Sequence, residues 1–227
     1  MSIQIIGAGF PRTGTTTLKS ALQTLGFNDT YHFKDLIANS NKLKYWQELE
    51  NNGTTDFNAL FEGYKATVDF PGYPYYKILM KQYPNAKVIL SKRDFEQWYE
   101  SVNKTIWKAG PQTLVAKLAM LSKMIFNKKL RNTFKCIKFM RRTFLVKQFD
   151  GKFDQKEKAK EVFHQHINEV IAHVPKNKLL VFDPSQGWKP LCDFLNLSIP
   201  EVEFPHLNKK EHLHEMVEGM ITDASKG

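Results

Sequence analysis

The sequence predicts an α/β fold: a central, mainly parallel sheet covered by helices and interrupted by a long helical insertion. Three observations point there. Strand-like runs at residues 3–6, 64–70, 86–91 and 179–182 alternate with stretches of helical periodicity, the order that builds a parallel sheet. The first run leads through a glycine-rich turn directly into a helix. Residues 112–148 then show helical spacing with no strand among them. With 227 residues and 42% apolar content the chain can bury a full core, so a single domain over 1–227 is expected, with its helical insertion at about 108–150.

The chain is organised around its first 25 residues. Ile3, Ile5 and Ile6 make a short β-branched strand. Gly7, Gly9, Pro11, Arg12, Gly14 and three threonines follow. Leu18, Ala21, Leu22 and Leu25 then recur at helical spacing until Gly26 stops the helix. Strand, glycine turn and helix N-terminus make an anion site, because backbone N–H groups and the helix dipole point at the same place. The spacing Gly9-x-x-x-x-Gly14 resembles the P-loop of nucleotide hydrolases, and with strands alternating with helices the expected domain is a P-loop-like, three-layer α/β/α one. Thr15 stands where a nucleotide hydrolase needs lysine. The cation is Arg12 instead, which argues for a phosphate cradle and against an ATPase or GTPase.

Further along, residues 31–33 read as a second strand, with 34–39 turning outward and a helix over 42–50. His32 lies just past that strand, where it could face the cleft, although a lone histidine is more often packed. The third strand, 64–70, is broken by Pro71-Gly72-Tyr73-Pro74. Asp69 therefore sits at a strand's carboxyl end, the edge where open α/β sheets bind ligands. A helix over 76–83 leads to the strand 86–91, which delivers Lys92, Arg93 and Asp94 to the same edge. The next helix, 94–107, carries Trp98 and Ser101. A guanidinium and a hydroxyl eight residues apart could share one phosphate; an ion pair of Arg93 with Asp94 or Glu96 is the alternative.

Residues 112–148 read as two helices divided near Asn127. Leu114, Leu118, Leu121, Met124 and Ile125 form an apolar stripe, continued by Phe134, Ile137, Phe139, Phe144 and Leu145. Core packing is the ordinary meaning of such a stripe, and the insertion is expected to cap an acceptor pocket. In a helix over 154–174, Val162, Phe163, Ile167, Val170 and Ile171 can face the core. The strand 179–182, a short helix ending near Leu195 with a structural Trp188, an extended loop through His206 and Asn208, and a helix over 209–221 complete the chain.

The net charge of +10 is unevenly placed: residues 101–149 hold twelve Lys and Arg and no Asp or Glu, leaving −2 for the rest. An anionic partner or a solvated face would explain it, with peripheral contact to an anionic membrane the sharper option. No nucleic-acid recognition motif accompanies the basic segment, so no nucleic acid is expected. Cys136 and Cys192 form no metal-ligand or redox spacing, which fits a cytoplasmic protein without a metal. No transmembrane stretch or signal peptide is apparent, and the sequence does not reveal an oligomeric state.

Pro11-Arg12-Thr13-Gly14-Thr15-Thr16 resembles the 5′-phosphosulfate loop of sulfotransferases that use 3′-phosphoadenosine-5′-phosphosulfate (PAPS), in the subgroup with the form Pro-Arg-Thr-Gly-Thr. Arg93, followed eight residues later by Ser101, is similar to that family's 3′-phosphate site. Val68-Asp69-Phe70-Pro71 resembles the subgroup's aspartate setting, where many cytosolic members have a histidine base. The likeness covers about residues 3–107 and returns near 178–208. It implies in-line transfer of a sulfuryl group from PAPS to a hydroxyl or amine of a small acceptor, with PAP as product and no metal; the aromatic content near 70–76 and the apolar, basic insertion suggest an aromatic or amphipathic acceptor. Arg12, Thr13, Gly14, Thr15, Thr16 and Thr17 would hold the 5′-phosphate, Arg93 and Ser101 the 3′-phosphate, and Asn208 would contact the nucleotide. Arg12 and Asp69 would be the catalytic pair, with Asp69 as base and His32 as the competing candidate. The aromatic neighbours Phe70, Tyr73, Tyr75 and Tyr76 could desolvate Asp69 and raise its basicity. Two other functions would fit the same fold: a silent PAP-binding protein and a P-loop NTPase or kinase-like enzyme.

Overall fold

The computed structural model describes residues 2–108 and 113–206. Its elements run β1 (Ile5–Gly7), α1 (Thr15–Thr24), β2 (Thr30–Tyr31), α2 (Phe33–Ala38), α3 (Leu43–Asn52), α4 (Phe57–Leu60), β3 (Ala66–Thr67), α5 (Tyr76–Gln82), β4 (Lys87–Ser91) and α6 (Phe95–Val102). After a π-helical stretch, Asn103–Trp107, come α7 (Leu114–Phe126) and α8 (Lys128–Arg141), then a second π-helical stretch, Arg142–Gln148. The chain closes with α9 (Lys156–His173), β5 (Leu179–Phe182) and α10 (Trp188–Leu195).

The five strands form one sheet in the order β2-β3-β1-β4-β5, every pairing parallel. Ile5 pairs with Ala66 on one side and Lys87 on the other, and Val88 pairs with Leu179. This is the α/β, P-loop-like three-layer class that the alternation of elements implied. All the strands point the same way, so the residues following β2, β3, β1 and β4 emerge side by side along one edge, in that spatial order.

The chain divides into two compact units. The first comprises residues 2–98 and 160–206 and holds the sheet. Its core joins Ile5, Ala66, Val68 and Ile89 of the strand region to Leu18, Ala21 and Leu22 of α1 and to Leu191 of α10. Trp188 belongs to this cluster and donates from Nε1 to Val202 O at 2.8 Å, which supports its structural role. The second unit comprises residues 99–108 and 113–159, wider than the expected insertion. In it Leu130, Cys136, Phe139, Phe144, Leu145, Phe149 and Phe153 are buried.

The fold departs from expectation at five points. Residues 34–39 do not turn outward: His32 caps α2, its side chain accepting from Lys34 N. The four-residue α4, capped by Asp56, was not anticipated. In α9 the buried face is Ala159, Phe163, His166 and Val170, and Ile171 is exposed; a histidine takes a core position expected of its apolar neighbours. In α7, Leu114, Leu118, Leu121 and Ile125 are exposed rather than packed. The third strand is also shorter than expected, running only Ala66–Thr67, and Asp69 beyond it adopts φ 66, outside any strand conformation.

Candidate active site

The glycine turn is held from beneath. Phe10 stacks on His166 at 4.2 Å and on Trp98 at 5.6 Å, and meets Tyr73 edge-on. His166 Nε2 contacts Ala8 O at 2.7 Å, and Trp98 Nε1 donates to Pro11 O at 2.9 Å. The loop backbone is thus tied on both sides of Phe10. Gly9 is required by close approach: a Cβ there would lie 2.1 Å from Ser91 Oγ and 2.4 Å from Ser91 O. Gly14 adopts φ +88 and lies against Pro184, 2.6 Å from where its Cβ would be. It provides the left-handed residue from which α1 departs.

The threonines divide their work. Thr13 Oγ1 donates to Phe10 O at 2.7 Å and lies 2.7 Å from Ser91 Oγ, so its hydroxyl serves the loop. Thr15 Oγ1 donates to Asp69 Oδ1 at 2.9 Å. Both hydroxyls are engaged within the protein, while the backbone amides at the start of α1 point out of the helix end. Thr16 is half-buried and Thr17 buried in the first turn of α1. Gly14 and Thr15–Thr17 together form the helix start facing the sheet edge.

Asp69 follows β3 and is buried. Loss of water pushes its carboxyl up to about 7, against the opposing pull of the Thr15 hydroxyl, the Arg12 charge and the backbone N–H groups of Phe70 and Phe33. Arg12, at φ 74, is lowered by burial and by the nearby charge of Arg93, and raised by Asp69. Two guanidiniums and one carboxylate therefore share this edge. Arg93 follows β4 and donates from Nε to Gln97 Oε1 at 3.2 Å. Ser101 lies in α6, half-buried. Asn208 lies outside the described residues.

His32, at the end of β2, is turned by its own cap. Its Nδ1 accepts Lys34 N–H at 3.3 Å, and burial together with the charges of Lys19, Lys34 and Arg12 holds the ring well below its usual pKa. A neutral ring whose Nδ1 accepts must carry its proton on Nε2. That nitrogen is buried, has no hydrogen-bond partner and lies 3.4 Å from Asp69 Oδ2. Among the described residues no group of three His, Cys, Asp or Glu is placed to hold a metal ion.

His166 and Ser91 went unnoticed in the sequence. His166 could have been found from its spacing, three residues after Phe163 and four before Val170. Ser91 looked like an ordinary strand end, and nothing local marks its contact with Thr13.

A family model described as Sulfotransferase domain matches residues 4–213. The chain is also similar to "Ava biosynthesis cluster protein M" of Aspergillus versicolor, 30% identical over 216 residues that cover 90% of this chain and 80% of that protein.

Proposed function

Because the chain belongs to the sulfotransferase-domain family, and is by that membership a transferase of the sulfotransferase type, we propose that it moves the sulfuryl group of PAPS to a hydroxyl or amine of a small acceptor. The observation that carries this reading is the meeting of Arg12, Arg93 and Asp69 past adjoining strands, with Arg93 and Asp69 both within the electrostatic reach of Arg12. Two cations with a helix N-terminus suit a polyanionic nucleotide, and a carboxylate raised to about 7 suits a proton acceptor at neutral pH. When bound, PAPS supplies the sulfuryl group, and its 5′-phosphate carries the departing charge.

Each residue then has one task. The α1 amides and Arg12 stabilise negative charge on the leaving phosphate. Arg93 anchors the 3′-phosphate, with Ser101 as its companion on sequence grounds. Asp69 Oδ2 takes the acceptor's proton as its oxygen or nitrogen attacks. His32 is not the base: its available nitrogen already carries a proton. It instead presents that N–H toward Asp69 Oδ2, a contact that can tighten when the carboxylate is charged. We assign it as a positioning residue. Phe70 and Tyr73 are both buried beside Asp69, and they keep water from its carboxyl; the aromatic content of residues 70–76 is the ground for an aromatic or amphipathic acceptor.

Calorimetric titration with PAP, with ADP and ATP–Mg²⁺ as controls, tests the donor. Tight PAP binding and a large loss for ADP, which lacks the 3′-phosphate, are expected. Preference for ATP–Mg²⁺ would favour a P-loop NTPase or kinase-like enzyme. Absence of nucleotide binding would sink both.

A further inference from the structure

The second unit carries a surface to which the proposed residue roles assign no task. In α7, Leu114 is 72% exposed, Leu118 58%, Leu121 57% and Ile125 67%. At 3.6 residues per turn these four lie within about 60° of one another around the helix. Phe126, at the helix end, is 91% exposed. Met120 and Met124, on a different side, are half-buried. Large apolar side chains aligned in water along one helix mark an interaction surface.

This end of the helix is well built. Arg131 Nη1 donates to Met124 O at 2.8 Å and Ile125 O at 3.0 Å, closing the last turn of α7. Asn127 caps α8, its Oδ1 accepting Leu130 N–H at 2.8 Å. The turn that presents Ile125 and Phe126 is therefore fixed, and it is followed at once by the exposed Lys128 and Lys129. Lys135 and Lys138 of α8 are exposed as well, whereas Lys123 lies on the opposite side of α7 from the stripe. No acidic residue occurs anywhere in residues 101–149.

We propose that α7 and its turn into α8 dock on an anionic lipid surface. The apolar stripe would enter the boundary between headgroups and acyl chains, while the lysines meet lipid phosphates and carboxylates. Charge selects this occupant. A second copy of the same face would bring like-charged segments together across a two-fold contact. A nucleic acid would satisfy the lysines but leave the leucines in water. Lipid headgroups over acyl chains satisfy both at once. The proposal is independent of the transfer reaction, and its test does not need an acceptor.

The experiment is co-sedimentation of the full chain with phosphatidylcholine vesicles, with and without phosphatidylserine, at low and raised salt. Binding to the phosphatidylserine vesicles alone, weakened by salt, is expected. The double variant Lys128→Glu, Lys129→Glu should weaken it by at least roughly 25-fold, about fivefold per lysine lost. Ile125→Ser with Phe126→Ser should weaken it too, with unchanged circular dichroism and melting temperature, because both side chains are already exposed. Three results would overturn the proposal: no vesicle binding, equal binding to neutral vesicles, or binding indifferent to both double variants. Light scattering that shows a dimer dissolved by the Ile125→Ser, Phe126→Ser variant, with vesicles ignored, would assign the face to a second copy instead.

Discussion

Replacing Asp69 by asparagine should separate function from stability. The carboxyl is raised from 3.8 to about 7, mainly by burial. An acid with a raised folded-state pKa holds its proton more tightly folded than unfolded. Its contribution to stability is complete below pH 3.8 and is lost as pH rises through about 7. The shift of roughly 3 units corresponds to about 4 kcal/mol between those limits, at about 1.36 kcal/mol per unit. Asparagine does not titrate, so it removes this pH dependence altogether. It also exchanges one acceptor oxygen for an amide, which sets a constant offset without changing the slope.

The assay is denaturant unfolding of both proteins from pH 4 to pH 8. Wild type should lose about 4 kcal/mol relative to Asp69→Asn across that range. His32 has the opposite tendency, since its depressed pKa makes stability rise as pH approaches 6.5. It is present in both proteins, so differencing removes most of its effect. The variant should keep PAP affinity yet lose transfer by roughly 10²-fold or more, the ordinary worth of a general base. Parallel stability curves would show that the carboxyl is not held near neutrality. Normal turnover in the variant would transfer the role of base to another group.

Other substitutions probe the remaining parts of the edge. His32→Asn keeps an acceptor for Lys34 N–H but removes the N–H facing Asp69, so the acid limb of kcat/KM against pH should move upward. His32→Gln restores a donor near Nε2 and should leave that limb in place while costing about 1 kcal/mol for the lost cap; equal shifts in both variants would refute the positioning role. Arg93→Ala should weaken PAP by roughly 2 kcal/mol, about thirtyfold, with little change for ADP; equal losses for both nucleotides would detach it from the 3′-phosphate. Gly9→Ala forces a methyl to 2.4 Å from Ser91 O and should cost about 1–3 kcal/mol in chemical unfolding, so an unchanged midpoint would mean that β1 and β4 can part without penalty.

Much of the fold was legible because its signals are local. Strand runs such as Val88–Leu90, the glycine turn before α1 and the break near Asn127 each lie within a few residues. Asp69 could be placed at a strand end because Pro71 and Gly72 follow it closely. What could not be read depends on contacts distant in sequence. Thr13 and Thr15 looked alike, yet one hydroxyl is spent on Phe10 and Ser91 and the other on Asp69. The tautomer of His32 follows from a cap on α2, and that helix was itself missed. In α7 periodicity identified the helix but not its environment: an apolar stripe has the same spacing whether it faces a core or something outside the chain.

Arg12 and Asp69 share a further property. Both are non-glycine residues held at positive φ, 74 and 66. A left-handed backbone costs such residues roughly 1–2 kcal/mol each, and glycine would relieve it. The two positions lie at the ends of neighbouring strands, β1 and β3, and their opposite charges act on one another. A structural turn would gain by losing the side chain; a site that must aim a guanidinium and a carboxylate at one space gains by keeping it. Strain at two adjoining strand ends, with burial of the charges they present, is therefore better explained by what the edge holds than by how the chain turns there.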